Sequence, residues 1–477
     1  MLQQQQRSFS AHDEPHAARP DPLASHTLPP VTRPAVIALL TPYSGRNLGD
    51  GAIQTAFIEN LRRLRPDIRL LGITEDPART EAIHGIPCFP LRGVPAAEQV
   101  SRASVKGTGV VASAAGQAFG PGRLRKMMAS LPLARPAAAL ARRLVKAPGQ
   151  IAQALREARY ETRLLREVDL LLVAGGGQLD EEWGGAWVQP FVLWRWTRLA
   201  RRQGVVTAVA SVGMGVLDTW LSRALVKSAL MRCAYRSFRD EGTRTLLAQF
   251  APVAHDPVVC DVALSLPASP NGGALPHSAE VVGLVPMVFG HAEHWPTVDV
   301  PAYERYLSEL RAVVTHLASR GRIVVLFTSN RVDRVAVEDL LRGLDDSLVS
   351  SGRVRRVDSD SLPALLEALE ACHIVIATRL HAVILAQRLA RPVIAISFDR
   401  KVDEQMKQAG MAEFCVDIRS FTGNELLALI GRLASQAGAV RRQLETYVAN
   451  AQTELARQFA HLLDLAERNK ERRRHSR

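Results

Sequence analysis

IVIATRLHAVILAQRLARPVIAISFDRKVDEQM, residues 374–406, reads as a strand, a turn, a helix and a second strand. Ile374, Val375, Ile376 and Ala377 form an unbroken apolar run, the pattern of a strand buried on both faces of a parallel sheet. Thr378, Arg379, Leu380 and His381 make the turn that leaves it. A helix is expected over 382–389, ended by Arg391-Pro392, since proline cannot continue a helix. Residues 393–396 are the next apolar run. Open α/β sheets bind ligands outside the carboxyl ends of their strands. Arg379, His381, Arg400 and Lys401 fall at such ends. That placement predicts an anionic ligand held by cations, beside a histidine able to move a proton.

The same rhythm extends in both directions. Residues 36–40 read as a short buried strand and 41–50 as a turn. The helix that follows carries Ile53, Phe57, Leu61 and Leu64 on one face and stops before Pro66. With a strand at 68–73 this is one β-α-β unit. Further strands are expected at 169–174, terminated by Gly175-Gly176-Gly177, and at 205–209 and 235–238. A second series follows, with strands at 281–286, 323–328 and 354–357. The expected fold class is therefore α/β, with two Rossmann-like domains facing a cleft, at 35–266 and 279–466. A Pro/Gly/Ser-rich linker at 267–278 joins them. Outside the rhythm lie a disordered leader at 1–34, a basic insertion at about 94–148 and a basic tail at 467–477.

The 477 residues are 47% hydrophobic and 22% charged, as in soluble globular proteins. No run reaches the roughly 18 apolar residues of a spanning helix, and the amino terminus lacks the apolar core of a secretory signal. The five cysteines are odd in number and form no C-x-x-C pair. They argue against a disulfide framework or zinc site and for a reducing cytoplasm. The net charge of +13 is concentrated. Between Arg92 and Arg166 fourteen Lys/Arg face only Glu98, Glu157 and Glu161, and the tail carries six against two. The rest is near neutral.

Several turns carry candidate chemistry. Arg239-Asp240-Glu241 opens a helix after a strand; the acids suit that end, while Arg239 there suits an anion. In Asn47-Leu48-Gly49-Asp50, Asp50 either caps the helix or meets a substrate hydroxyl. Gly176, within the triple glycine, lets a ligand approach the backbone. Arg379 either binds an anion or sits in a structural ion pair, and Lys401 either joins it or is solvated. Trp183, Trp187, Trp194 and Trp196 cluster, with core packing expected over sugar stacking. No G-x-x-x-x-G-K-S/T loop and no G-x-G-x-x-G opens a helix, which argues against a P-loop enzyme or a nicotinamide cofactor.

Taken in order, Asn47-x-Gly49-Asp50, Gly175-Gly176-Gly177, Ser237-Phe238-Arg239-Asp240, Asp261-Val262-Ala263, Thr378-Arg379-Leu380-His381-Ala382 and Ser397 to Val402 resemble the polysaccharide pyruvyl transferase family. The resemblance spans about residues 36–430. It implies a two-domain architecture like that of GT-B glycosyltransferases. It also implies a reaction in which phosphoenolpyruvate is the co-substrate, a ketal forms across two sugar hydroxyls and phosphate leaves. By resemblance, Arg239, Arg379 and Lys401 hold phosphoenolpyruvate and His381 is the general acid/base. Asn47, Asp50, Asp261 and Gly176 border the acceptor. No metal or further cofactor is implied. Phe398-Asp399 departs from the Tyr-His found before the lysine in relatives.

The acceptor implied is a sugar or lipid-linked glycan precursor of a bacterial exopolysaccharide, capsule or cell wall. That puts the enzyme in the cytoplasm, at the inner face of the membrane. The basic insertion and tail would then meet anionic headgroups, at about 1 kcal/mol per well-placed cation. No nucleic-acid partner is expected. Two rivals remain. A GT-B glycosyltransferase would need a ribose-binding acid, for which only Glu367 and Glu370 offer themselves. A non-catalytic membrane- or nucleic-acid-binding protein would use the charged appendages.

Overall fold

The computed structural model describes residues 33–93, 156–182, 184–267, 280–295 and 297–476. Residues 1–32 of the expected leader, the whole expected insertion and 268–278 of the expected linker lie outside the described residues.

Two six-stranded sheets organise the described residues from Ala35 onward. The first uses β1 (Val36–Leu40), β2 (Arg69–Thr74), β3 (Cys88–Pro90), β4 (Leu170–Leu179), β5 (Val206–Met214) and β6 (Tyr235–Phe238), in the order β3-β2-β1-β4-β5-β6. The second uses β7 (Val281–Val285), β8 (Ile323–Leu326), β9 (Val354–Arg356), β10 (Ile374–Ala377), β11 (Val393–Ser397) and β12 (Cys415–Asp417), in the order β12-β11-β10-β7-β8-β9. Every pairing between neighbouring strands is parallel. Counted from its own first strand, each sheet has the same doubly wound Rossmann order. Each reverses direction once, between β1 and β4 and between β7 and β10, where such sheets take ligands.

Strand burial explains the apolar runs. In β1, Ile37 and Leu39 join one apolar cluster, while Val36, Ala38 and Leu40 join another on the opposite face. A strand alternates its side chains, so covering both faces requires an apolar residue at every position. The triple glycine departs from expectation. It does not terminate β4, which continues to Leu179. Gly175 and Gly176 take φ of 56° and 73°, and the register against β5 shifts between Gly176 and Leu179. The glycines bend the strand within the sheet.

The two halves share one core. The same cluster holds Ile53 and Phe57 of the helix Leu48–Leu64, Leu264, Val383 of the helix Leu380–Arg388, and Phe459 of the helix Ala437–His475. The halves also touch at the cavity end. The Leu48 N–H donates to the Ser329 carbonyl at 3.1 Å, and Asn47 pairs with Asn330 as an isolated bridge.

The basic tail is corrected to the last turns of that 39-residue helix. Its side chains are engaged by the first half. Asn469 Nδ2 donates to the carbonyls of Asp169 at 2.7 Å and Gly204 at 3.2 Å. Arg472 also reaches the Gly204 carbonyl, and Arg473 donates to those of Val168 and Arg166. These contacts tie the segment to the first half, so it is a clamp, not a free appendage. Asn469→Ala is expected to lower stability by about 1–3 kcal/mol, read from the denaturant midpoint of the full chain.

Candidate active site

A cavity of about 770 Å³ lies where the carboxyl ends of both sheets meet. The first half supplies Asn47, Asp50, Gly176, Gln178, Asp180 and Arg239 to its lining; the second supplies Trp295, Arg379, His381, Phe398, Lys401 and Arg419. Of the residues expected from sequence, Asn47, Asp50, Gly176, Arg239, Arg379, His381 and Lys401 thus meet in one space.

Asn47 orders the first of these. Its Oδ1 accepts from the Gly49 N–H at 3.0 Å, capping the helix Leu48–Leu64, while its Nδ2 donates to Asp50 Oδ2 at 2.8 Å. Asp50 is therefore held by the cap and is not the cap itself. The other carboxylate oxygen lies along the opening above Gly176: a Cβ built there would stand 3.9 Å from it. Burial pushes the Asp50 carboxyl above its usual range, and the Asp261 charge adds to that. His381, Asn47 and Lys401 pull the other way.

His381 sits in the first turn of the helix Leu380–Arg388 and packs directly on Gly49. A Cβ added at Gly49 would stand 2.2 Å from ring atoms of His381, so only glycine leaves room for the imidazole. Behind the ring lies Asp261. Its Oδ2 is 3.7 Å from His381 Nε2 and 3.7 Å from Arg239 Nη1, and its Oδ1 accepts from the Ala263 N–H at 3.0 Å. Asp261 is fully buried and outside the cavity lining. The expectation that it borders the acceptor is corrected: it stands beneath His381 and Arg239, with its charge facing both.

Burial pushes the Asp261 carboxyl up, but His381, Arg239 and the Ala263 N–H outweigh this and hold it below its ordinary value of 3.8. A depressed carboxyl stabilises the fold above its unfolded pKa, and that contribution is lost as pH falls through the folded value. Asp261→Asn is expected to flatten the loss of thermal midpoint below about pH 4, followed by melting across the acid range.

Arg379 is placed differently from expectation. Its Nε and Nη2 donate to Asp333 Oδ2 and Oδ1 at 2.7 and 2.8 Å, and the buried Asp333 also accepts from the Val288 N–H. The two-pronged edge expected to grip substrate is filled by a structural ion pair. The Nη1 side remains for an anion, with the guanidinium 5.8 Å from the Trp295 ring centroid. Lys401 Nζ lies 3.2 Å from Asp399 Oδ2 and 5.1 Å from the Phe398 ring centroid. The two residues that depart from the family pattern are those that engage this lysine.

Sequence reasoning missed Asp333, Trp295 and Arg419. Asp333 closes a three-residue 3₁₀ turn, Arg331–Asp333, Trp295 sits in a loop with no periodicity, and Arg419 follows a three-residue strand. Arg400 was placed at a strand end without its partner: Nη1 lies 3.6 Å from Asp240 Oδ1, across the two halves. Glu367 and Glu370 are absent from the cavity lining.

The family of polysaccharide pyruvyl transferases matches residues 47–400. The chain is also 26% identical over 145 residues to the amylovoran biosynthesis protein AmsJ of Erwinia amylovora, spanning 30% of this chain and 35% of that protein's length. Among solved structures, the UDP-GlcNAc 2-epimerase of Methanocaldococcus jannaschii superposes with a TM-score of 0.50 at 10% identity, over 84% of this chain and 92% of that one. Anabaena HepE in complex with UDP superposes with a TM-score of 0.48 at 13% identity, over 92% and 98%. The fold is GT-B-like.

Proposed function

We propose a reaction for this chain from one premise: it belongs to the polysaccharide pyruvyl transferase family. The reaction moves the pyruvyl group of phosphoenolpyruvate onto two hydroxyls of a glycan, forming a ketal and releasing phosphate. The observation that carries this reading is the buried carboxylate Asp261, 3.7 Å from both the histidine of one half and the arginine of the other. It aligns a proton-transfer group and an anion-binding group at one cavity wall.

The steps balance as follows. His381 protonates the methylene carbon of phosphoenolpyruvate, and a sugar hydroxyl attacks the carbon bearing the phosphate ester. A second hydroxyl displaces phosphate from that carbon and closes the ketal. One hydroxyl proton ends in the new methyl group and the other on phosphate. Arg239 and the open edge of Arg379 hold the carboxylate and phosphate, where guanidinium donors match planar anions. Asp50, with its raised carboxyl, accepts the proton of the attacking hydroxyl. Phosphoenolpyruvate is the only co-substrate in this reading. The acceptor is a sugar of an exopolysaccharide or other bacterial glycan precursor.

The test is direct. Purified protein is incubated with phosphoenolpyruvate and a panel of glycan precursors, and phosphate release is followed together with product mass. Coupled phosphate release and a pyruvylated product are expected. Nucleotide-sugar consumption without use of phosphoenolpyruvate would instead favour a glycosyltransferase.

A further inference from the structure

The helices Gln189–Arg202 and Trp220–Leu230 pack side by side, the first of them against β4 and β5. Neither contains an acidic residue. Arg195 is paired with Glu157 and Glu161. Arg198, Arg201, Arg202, Arg223, Lys227 and Arg232 form no ion pair among the described residues, and one acid, Asp218, lies between Gln189 and Arg232. Arg198 and Arg232 both lie over the Trp194 ring, at 5.3 and 6.0 Å. Burial, then repulsion from Arg198 and Arg201, lowers the Arg232 pKa. Like charges are thus gathered here without a counter-ion among the described residues.

Large apolar side chains are exposed on and beside the same helices. Trp220 is 79% exposed, Trp187 67% and Met231 52%. Trp220, Ala224, Lys227 and Met231 recur at spacings of four, three and four, which is one helix face. Trp187 continues into a chain of ring contacts with Phe191 and Trp194. The expectation that the tryptophans pack the core holds for Trp196 alone among those described, since Trp183 lies outside the described residues. The neighbours of Trp187 and Trp220, Gly185, Val188 and Val216, line the cavity.

We propose that the outer face of these two helices docks on an anionic phospholipid surface, with Trp187 and Trp220 entering the headgroup layer beside the cavity. Tryptophan favours that layer, and basic side chains reach lipid phosphates while their stems stay against apolar groups. A nucleic acid would match the cations but leave Val216 and Met231 without use. Among the described residues no helix is long and apolar enough to cross a membrane, so the contact is peripheral. The proposal does not rest on the reaction assigned to the cavity.

The test is co-sedimentation of the full chain with phosphatidylglycerol/phosphatidylcholine vesicles, with pure phosphatidylcholine and single-stranded DNA as comparisons. Salt-sensitive binding to the anionic vesicles is expected. Arg198→Gln/Arg201→Gln/Lys227→Gln and, separately, Trp220→Ala/Met231→Ser are each expected to weaken it about ten-fold or more, with circular dichroism unchanged. Should the first variant misfold, brominated-lipid quenching of tryptophan fluorescence gives a second readout, with a share lost in Trp220→Phe. Absence of vesicle binding, equal binding by the variants, quenching unchanged in Trp220→Phe, or equal affinity for DNA independent of Trp220 would each overturn the proposal.

Discussion

Replacing His381 with alanine is expected to lower kcat by about 10²- to 10⁴-fold while the protein keeps its fold. The ring lines the cavity and packs over a glycine, so its loss leaves space and removes no buried hydrogen bond. The proposed reaction protonates a carbon atom, and among the described residues that line the cavity His381 is the one histidine. Asp261→Asn tests the buried charge behind both groups. It keeps the shape and the acceptor for the Ala263 N–H, but removes the charge facing both His381 and Arg239. A smaller fall in kcat, about 10-fold or more, is expected together with a displaced pH–rate profile. Steady-state kinetics across pH measure both. Normal turnover by His381→Ala would remove this histidine from the reaction.

Gly49→Ala carries the second large effect. The added Cβ would stand 2.2 Å from the imidazole, and the glycine belongs to a helix capped by Asn47 and bridged to the other half. The ring must move, and a displacement of about 1 Å in a reacting group can cost about 10²-fold. The expected result is a fall of that order in kcat, with a smaller change in KM for phosphoenolpyruvate. Gly51→Ala is the control. There the new Cβ meets the Tyr43 hydroxyl at 2.9 Å, on a residue outside the cavity lining, and no atom of His381. Alanine also favours the helix by up to about 1 kcal/mol, so near-normal turnover is expected.

Strand positions were legible because both faces of each sheet are covered. Apolar runs such as 374–377 and 36–40 admit few other readings, and proline marked the helix ends. The charged turns were legible too, since parallel sheets fix where strands end. The partners of those charges were not. Arg379 meets Asp333 across 46 residues, and no periodicity links them. Asp261 was found by resemblance, but its place beneath two cations depends on how the halves pack. The glycine triplet misled for a local reason: positive φ serves a bend inside a strand as well as a stop after it. The tail misled because charge was counted without the carbonyls it satisfies.

The helix Ala437–His475 also bears on how the chain acquires its structure. Gln458 accepts from Ser237 and donates to Ser211, and Asn469 reaches the Asp169 carbonyl, across 221, 247 and 300 residues. Phe459 meets Phe57 edge to face. The first sheet is therefore not an autonomous folding unit. A nascent chain must extend past residue 470 before polar groups on that sheet find their partners, and such long-range closure is slow. A fragment cut between the two sheets leaves an apolar face uncovered, which makes it a poor vehicle for expression and a natural client of chaperones during synthesis.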